Sequence, residues 1–302
     1  MARARGLHSP QHMDELNPQR RPGRADTARA VARRIAADQI PGRAAQMSFY
    51  FFLSVFPGLL VLMAALSLVL DTQALVRATL LERLAAVAPG SIVRLFTRLL
   101  EHLTGPSRAP FTWGLVVALW ASSSGMVATI RGLNQAYAVV EERAWWKRRL
   151  VGFALTLALL VLLAAALLLV TYGVPMADAV ARGMGLGAPW LVAWQIGQWP
   201  LVFGFVLLAF ELLYHYAPHR PRVRWRWLRA GTLTAIGLWL VTSLGLKVYA
   251  ANFAQYNVAY GSVGAVIVLL LWFYLTSIAI LVGAEINAEL EDGLEVERPA
   301  AT

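Results

Sequence analysis

The chain has 302 residues, 58% of them hydrophobic and only 15% charged, with a formal net charge of +10. Soluble domains carry about 25% charged residues, so this composition belongs to the polytopic membrane class and argues against a water-soluble globular enzyme. There is no cysteine, which excludes disulfides and thiolate metal sites.

In chain order, residues 1–26 combine Pro10, Pro18, Pro22 and Gly23 with scattered arginines and read as a disordered basic tail without a secretory leader. From Thr27 to Gln39 the apolar positions Ala28, Val31, Ile35 and Ala36 oppose Arg29, Arg33 and Arg34. That spacing predicts a basic amphipathic helix on the cytoplasmic membrane surface, stopped by Pro41 and Gly42. The first span is expected at Gln46–Leu70, with Pro57 as a helix kink. Residues 73–104 place Leu80, Leu84, Leu95 and Leu99 at helical spacing with arginines on other faces, the pattern of an amphipathic periplasmic hairpin.

Five further spans follow at Phe111–Ile130, Leu150–Tyr172, Trp190–Tyr214, Leu228–Ala250 and Ser262–Ala284, with Pro200 as a second kink. The expected fold is therefore all-α, a six-helix polytopic domain over residues 27–290 followed by an acidic tail at 291–302. Trp113, Trp145, Trp146, Trp190, Trp194, Trp225, Trp227 and Tyr214 fall near predicted ends, where interfacial aromatics belong. The segments on the side of the termini hold 20 of the 27 Lys and Arg residues and those on the other side hold 6. This asymmetry puts both termini in the cytoplasm.

Three strings resemble the YihY/BrkB family of bacterial inner-membrane proteins: AAQMSFYFFLSVFPGLLVLMA (44–64), LNQAYAVVEERAWWKRRL (133–150) and ANFAQYNVAYGSVGAVIVLLLWFYLTSIAILVGAEINAEL (251–290). The resemblance covers residues 30–290 and implies six spans, in agreement with the hydropathy count. Members have carried the label ribonuclease BN, and some are linked by name to virulence or serum resistance.

A nuclease needs acid–base or metal-holding groups gathered at one place. The histidines do not form such a group: His8 and His12 lie in the tail, His102 in the hairpin, and His215 and His219 flank Pro218. The expectation is no catalytic residue, no metal and no cofactor. Ser123, within Ser122–Gly125 of the second span, reads as part of a small packing face or as the lining of a polar cavity. Glu211 and Glu285 lie near cytoplasmic span ends, within snorkelling reach of water, and Glu211 is also placed to pair with the Arg220–Arg229 loop. The acidic residues from Glu289 onward read as a solvated end.

The periplasmic half is richer in amides than packing demands. Gln195, Gln198, Asn252, Gln255 and Asn257 fall at similar depth, and either bond one another or line a wet cavity. Arg148 and Arg149, with Arg224 and Arg226, lie beside tryptophans at span ends, which suits anionic phospholipid rather than nucleic acid. Three functions follow, in order: a transporter-like protein that moves or accommodates a lipid or amphiphile, a non-catalytic envelope scaffold, and a membrane-tethered nuclease.

Overall fold

The computed structural model describes residues 24–69, 109–185, 187–220, 229–253 and 257–296. They form seven α-helices: α1 (Arg24–Ala37), α2 (Ile40–Val69), α3 (Ala109–Ala136), α4 (Trp145–Met184), α5 (Ala188–Tyr216), α6 (Ala230–Phe253) and α7 (Asn257–Val296). Six of them, α2 to α7, are long and apolar enough to cross a bilayer, and the protein is a polytopic membrane protein. The expected hairpin at 73–104, residues 1–23 and 297–302 of the two tails, Gln255, Arg224 and Arg226 lie outside the described residues.

The spans close into a ring in chain order. Each of α2 to α6 packs on the next, and α7 closes the ring by packing on α2, with α3 also touching α7 and α2 also touching α4. The α3 span is the most enclosed of the six. The small α1 lies against α7. Its Val31 is buried and its Ile35 packs on the core, while Arg34 pairs with Glu289 at 2.9 Å. The amphipathic helix thus finds part of its apolar partner in the protein.

Local chemistry explains the boundaries. The α1–α2 break falls at Asp38–Gln39, where Gln39 adopts φ 50°, and Pro41 sits in the first turn of α2. Pro41 therefore does not stop α1; it begins α2, where its missing N–H costs nothing. At the other end of the bundle α4 runs on to Met184, well past Tyr172, and closes on Gly185 at φ 67°. Pro57 and Pro200 lie inside α2 and α5 as expected, and α4 holds a third internal proline, Pro175. At 40 residues each, α4 and α7 are about 60 Å long at 1.5 Å per residue, twice the hydrocarbon thickness.

Small residues set the closest approaches. A Cβ on Gly231 of α6 would stand less than 3.0 Å from the Gly283 carbonyl oxygen and the Asn287 side chain. One on Gly283 would meet Tyr214, Ala235 and Gly231 equally closely. Gly125 faces Phe51, and its N–H donates to Ser54 Oγ at 2.8 Å. The small-residue face of the second span is thus the seam between α2 and α3.

Gly231→Val is expected to cost more than about 3 kcal/mol, because backbone on the facing helix cannot retreat as a side chain could. Gly237→Ala, in open space on the same helix, is expected to be neutral or to stabilise by about 0.5–1 kcal/mol. Thermal unfolding of the two variants in detergent checks the contrast.

Candidate functional site

Two places gather polar groups. The first is the end of the bundle that holds α1, the α3–α4 loop, the α5–α6 stems and the last turns of α7, here called the basic end. The second is a groove between α4 and α5 near the opposite end.

At the basic end, α7 supplies the organising side chains. Glu291 pairs through one oxygen with Arg220 Nη1 and through the other with Arg229 Nη1 at 2.9 Å. One carboxylate therefore clasps both stems of the segment joining α5 to α6. Arg220 Nη2 also donates to the Tyr214 carbonyl at 3.0 Å, and its guanidinium lies 3.7 Å from the Tyr137 ring centroid. Burial pushes the Tyr137 phenol up to about 12 against the opposing pull of Arg220, so the ring stays neutral. Arg229 lies 3.9 Å from Glu211, whose other oxygen accepts from Thr232 Oγ1 at 2.6 Å. Asn287 accepts from the Gly231 N–H at 2.9 Å.

The α3–α4 loop is tied to the same place. After α3, Ala138 takes the left-handed conformation at φ 50°, and the N–H of Val139 donates to the Asn134 carbonyl at 2.8 Å, a Schellman closure built without glycine. Asn134 then donates to Glu141 at 2.8 Å and accepts from the His219 N–H at 2.7 Å. Arg143 binds Glu141 through Nε at 2.7 Å and the Ala217 carbonyl through Nη2 at 2.7 Å. Burial alone would raise the Glu141 carboxyl, but the hydrogen bonds from Arg143 and Asn134 outweigh it and hold the group below the ordinary 4.5.

Several expectations need correction here. Glu211 and Glu285 do not snorkel; their relative exposures are 1% and 0%. Glu289 and Glu291 are not a solvated end, since α7 continues through them and they pair with arginines of α1 and the α5–α6 stems. Tyr214 is not an interfacial aromatic: it is fully buried, and its hydroxyl donates to the Ile280 carbonyl at 2.9 Å. Hydropathy reports only that such residues lie near span ends. The usable signal was the i, i+4 register of Gly283 with Asn287 against Gly231 with Ala235, which marks one close face.

Arg148 is half-buried on the first turn of α4. Arg149 turns back onto α3: its guanidinium lies 4.4 Å from the Trp120 ring centroid and donates to the Trp120 carbonyl and, at 3.3 Å, to Ser124 Oγ. Ser123 is fully buried and donates to the Trp120 carbonyl of its own helix at 2.8 Å, away from the groove.

The groove near the opposite end has a volume of about 690 Å³ and is lined by Val174, Gln195, Ile196, Gln198, Trp199 and Pro200. Two of the predicted amides, Gln195 and Gln198, therefore share one wall, while Asn252 and Asn257 lie in the backbone of α6 and α7. Gln195 is exposed and Gln198 buried. The Gln198 Oε1 and the Trp194 Nε1 converge over Gly173, each 3.2 Å from where its Cβ would be. Neither atom has a hydrogen-bond partner among the described residues. One acceptor and one donor thus stand unmet over the same glycine, beside an apolar groove.

Glu211→Ala is expected to cost about 3–5 kcal/mol, because Arg229 would remain buried with half its pairing gone. Loss of folded protein on detergent gel filtration checks it. For Glu141, whose folded value lies below 4.5, the stabilisation is complete above that value and is lost as pH falls through the folded one. Glu141→Gln should therefore flatten the acid limb of thermal stability below about pH 4.5 while leaving its slope at neutral pH unchanged.

The family described as Virulence factor BrkB matches residues 31–302. The ribonuclease-like protein YfkH of Bacillus subtilis is 32% identical over 248 residues, covering 82% of this chain and 89% of that protein. The UPF0761 membrane protein RSc1559 of Ralstonia nicotianae is 28% identical over 265 residues, 87% of this chain and 58% of that protein. The UPF0761 membrane protein Mpe_A1422 of Methylibium petroleiphilum is 29% identical over 203 residues, 67% of this chain and 47% of that protein. The chain thus spans only about half the length of these two longer relatives. No solved structure matches. All three strings that carried the resemblance reach the basic end or its packing: Met47 and Gly132 in contact, Asn134 to Arg143 in the loop, and Gly283 to Glu289 on α7. The chain belongs to the BrkB family of multi-pass membrane proteins.

Proposed function

We propose that this chain is a non-enzymatic protein of the bacterial inner membrane that accommodates and moves a lipid or other amphiphile. The basic end and both termini face the cytoplasm, as the distribution of 20 against 6 basic residues favours. The observation that carries the reading is the unmet pair over Gly173, Gln198 Oε1 and Trp194 Nε1, buried beside the α4–α5 groove that Gln198 lines. A groove of about 690 Å³ lies within the range of small-molecule sites. Its donor and acceptor suit a head group with a hydroxyl or amine, and its Val174, Ile196 and Trp199 suit an acyl chain. Anionic lipid meets the Arg- and Trp-rich rim at the basic end.

A ribonuclease reading, which the name of the Bacillus relative would bring, is disfavoured by how the carboxylates are used. Glu211, Glu289 and Glu291 each lie against an arginine instead of facing an open cleft. Among the described residues no three His, Asp or Glu side chains gather as metal ligands.

The experiment is translocation of head-group-labelled lipid in proteoliposomes, read with an impermeant quencher. Protein-dependent quenching of the inner-leaflet pool is expected. Gln198→Leu and Gly173→Ala should each slow it roughly 3- to 10-fold, the scale of one hydrogen bond, without changing folded yield. No protein-dependent quenching with folded protein would overturn the reading in favour of an envelope scaffold.

A further inference from the structure

Among the described residues of the basic end, Glu285 is a carboxyl that the network leaves out. Glu285 is fully buried, one helical turn before Glu289 on α7. Neither of its oxygens receives a hydrogen bond from a donor among the described residues, and the side chain within hydrogen-bonding reach of it is another carboxyl, Asp38. Its neighbours are engaged by contrast: Glu211 with Thr232, Glu289 with Arg34, and Glu291 with Arg220 and Arg229.

The charged groups facing Glu285 are Asp38 of the α1–α2 turn, Arg34 of α1 and Arg43 of α2. Both arginines are turned to other acceptors, Arg34 to Glu289 and Arg43 Nε to the Asp38 backbone carbonyl. From α3, Gln135 Nε2 donates to Asp38 Oδ1 at 3.2 Å. The cation at the start of α6, Arg229, is held by Glu291 and Glu211. An ionised carboxylate left without a donor in such a place costs several kcal/mol. A neutral carboxyl has no such cost and carries one O–H to offer.

We propose that Glu285 is a proton-binding site, reached from the basic end and covered by α1. Asp38 is the acceptor that faces it. The proton leaves the Glu285 carboxyl for the Asp38 carboxylate and passes from there to water, so charge is conserved at each step. The cover is built to move. α1 is joined to α2 through Gln39, a non-glycine residue at φ 50°, whose left-handed conformation costs about 1–2 kcal/mol. It is latched by Val31, Ile35 and the half-exposed Arg34–Glu289 pair. When α1 lifts, Glu285 meets water and can release its proton; when α1 closes, the neutral form is trapped. The inference is independent of the groove, which lies at the other end of the bundle.

The test is infrared difference spectroscopy on the full chain in lipid nanodiscs, titrated between about pH 5 and about pH 9. A carboxylic-acid carbonyl band is expected that fades as pH rises and returns on reversal, and Glu285→Gln should abolish it. Asp38→Asn, which leaves α7 intact, should shift the frequency of the same band, and serves if Glu285→Gln does not fold. Absence of any band that responds to either substitution would overturn the proposal, leaving Glu285 an ionised partner of Arg34 and Arg43. So would a band that is indifferent to pH throughout the range.

Discussion

Everything at the basic end depends on one constraint: arginines drawn into a helix bundle have to meet carboxylates there. The last turns of α7 provide them. Glu289 takes Arg34, and Glu291 takes Arg220 and Arg229 together. Desolvating a charge costs several kcal/mol, and the low dielectric that imposes this cost also strengthens a well-made pair. The helix that brings these groups can approach α6 because Gly231 and Gly283 face each other without side chains. Close backbone packing and charge pairing therefore support the same seam.

The two ends of the molecule use their polar groups differently. At the basic end arginines and carboxylates pair across several helices and hold the loops, although buried atoms such as Tyr137 Oη, Arg229 Nη2 and Asn287 Nδ2 have no hydrogen-bond partner among the described residues. Beside the groove, the donor and acceptor over Gly173 are buried without a partner among the described residues, and exposed apolar side chains such as Ile196 and Trp199 line the groove itself. A charge-paired end opposite a shallow apolar groove lets one part hold its shape while another receives a guest.

The number and order of spans were legible in the sequence because burial in a bilayer depends on length and mean apolarity, which a linear reading captures. Gln195 and Gln198 could be placed together because they lie three residues apart on one helix. The Arg220–Arg229 loop could be named as a partner for Glu211, but the choice between it and water could not be read. Glu211, a few residues from a span end, is equally compatible with water and with Arg229, and only the rotation of α5 against α6 decides. Arg149 was legible as a basic residue near a tryptophan, but the ring it meets is Trp120 of the preceding helix. Pro41 misled for a related reason, since proline ends one helix and begins another by the same chemistry.

The ring order of the helices has a consequence for biosynthesis. A chain that threads into the membrane from its N-terminus makes each neighbour contact as soon as the next span arrives. The exception is the closure of α7 on α2, which waits for the final segment. Until then Arg34 and Arg220 lack the α7 carboxylates they will meet, Arg229 has Glu211 but not Glu291, and the seam around Gly231 is open. The C-terminal helix thus acts as a completion signal: a truncated chain keeps its spans but exposes unpaired cations at its surface, a state that proofreading proteases can tell from the finished protein.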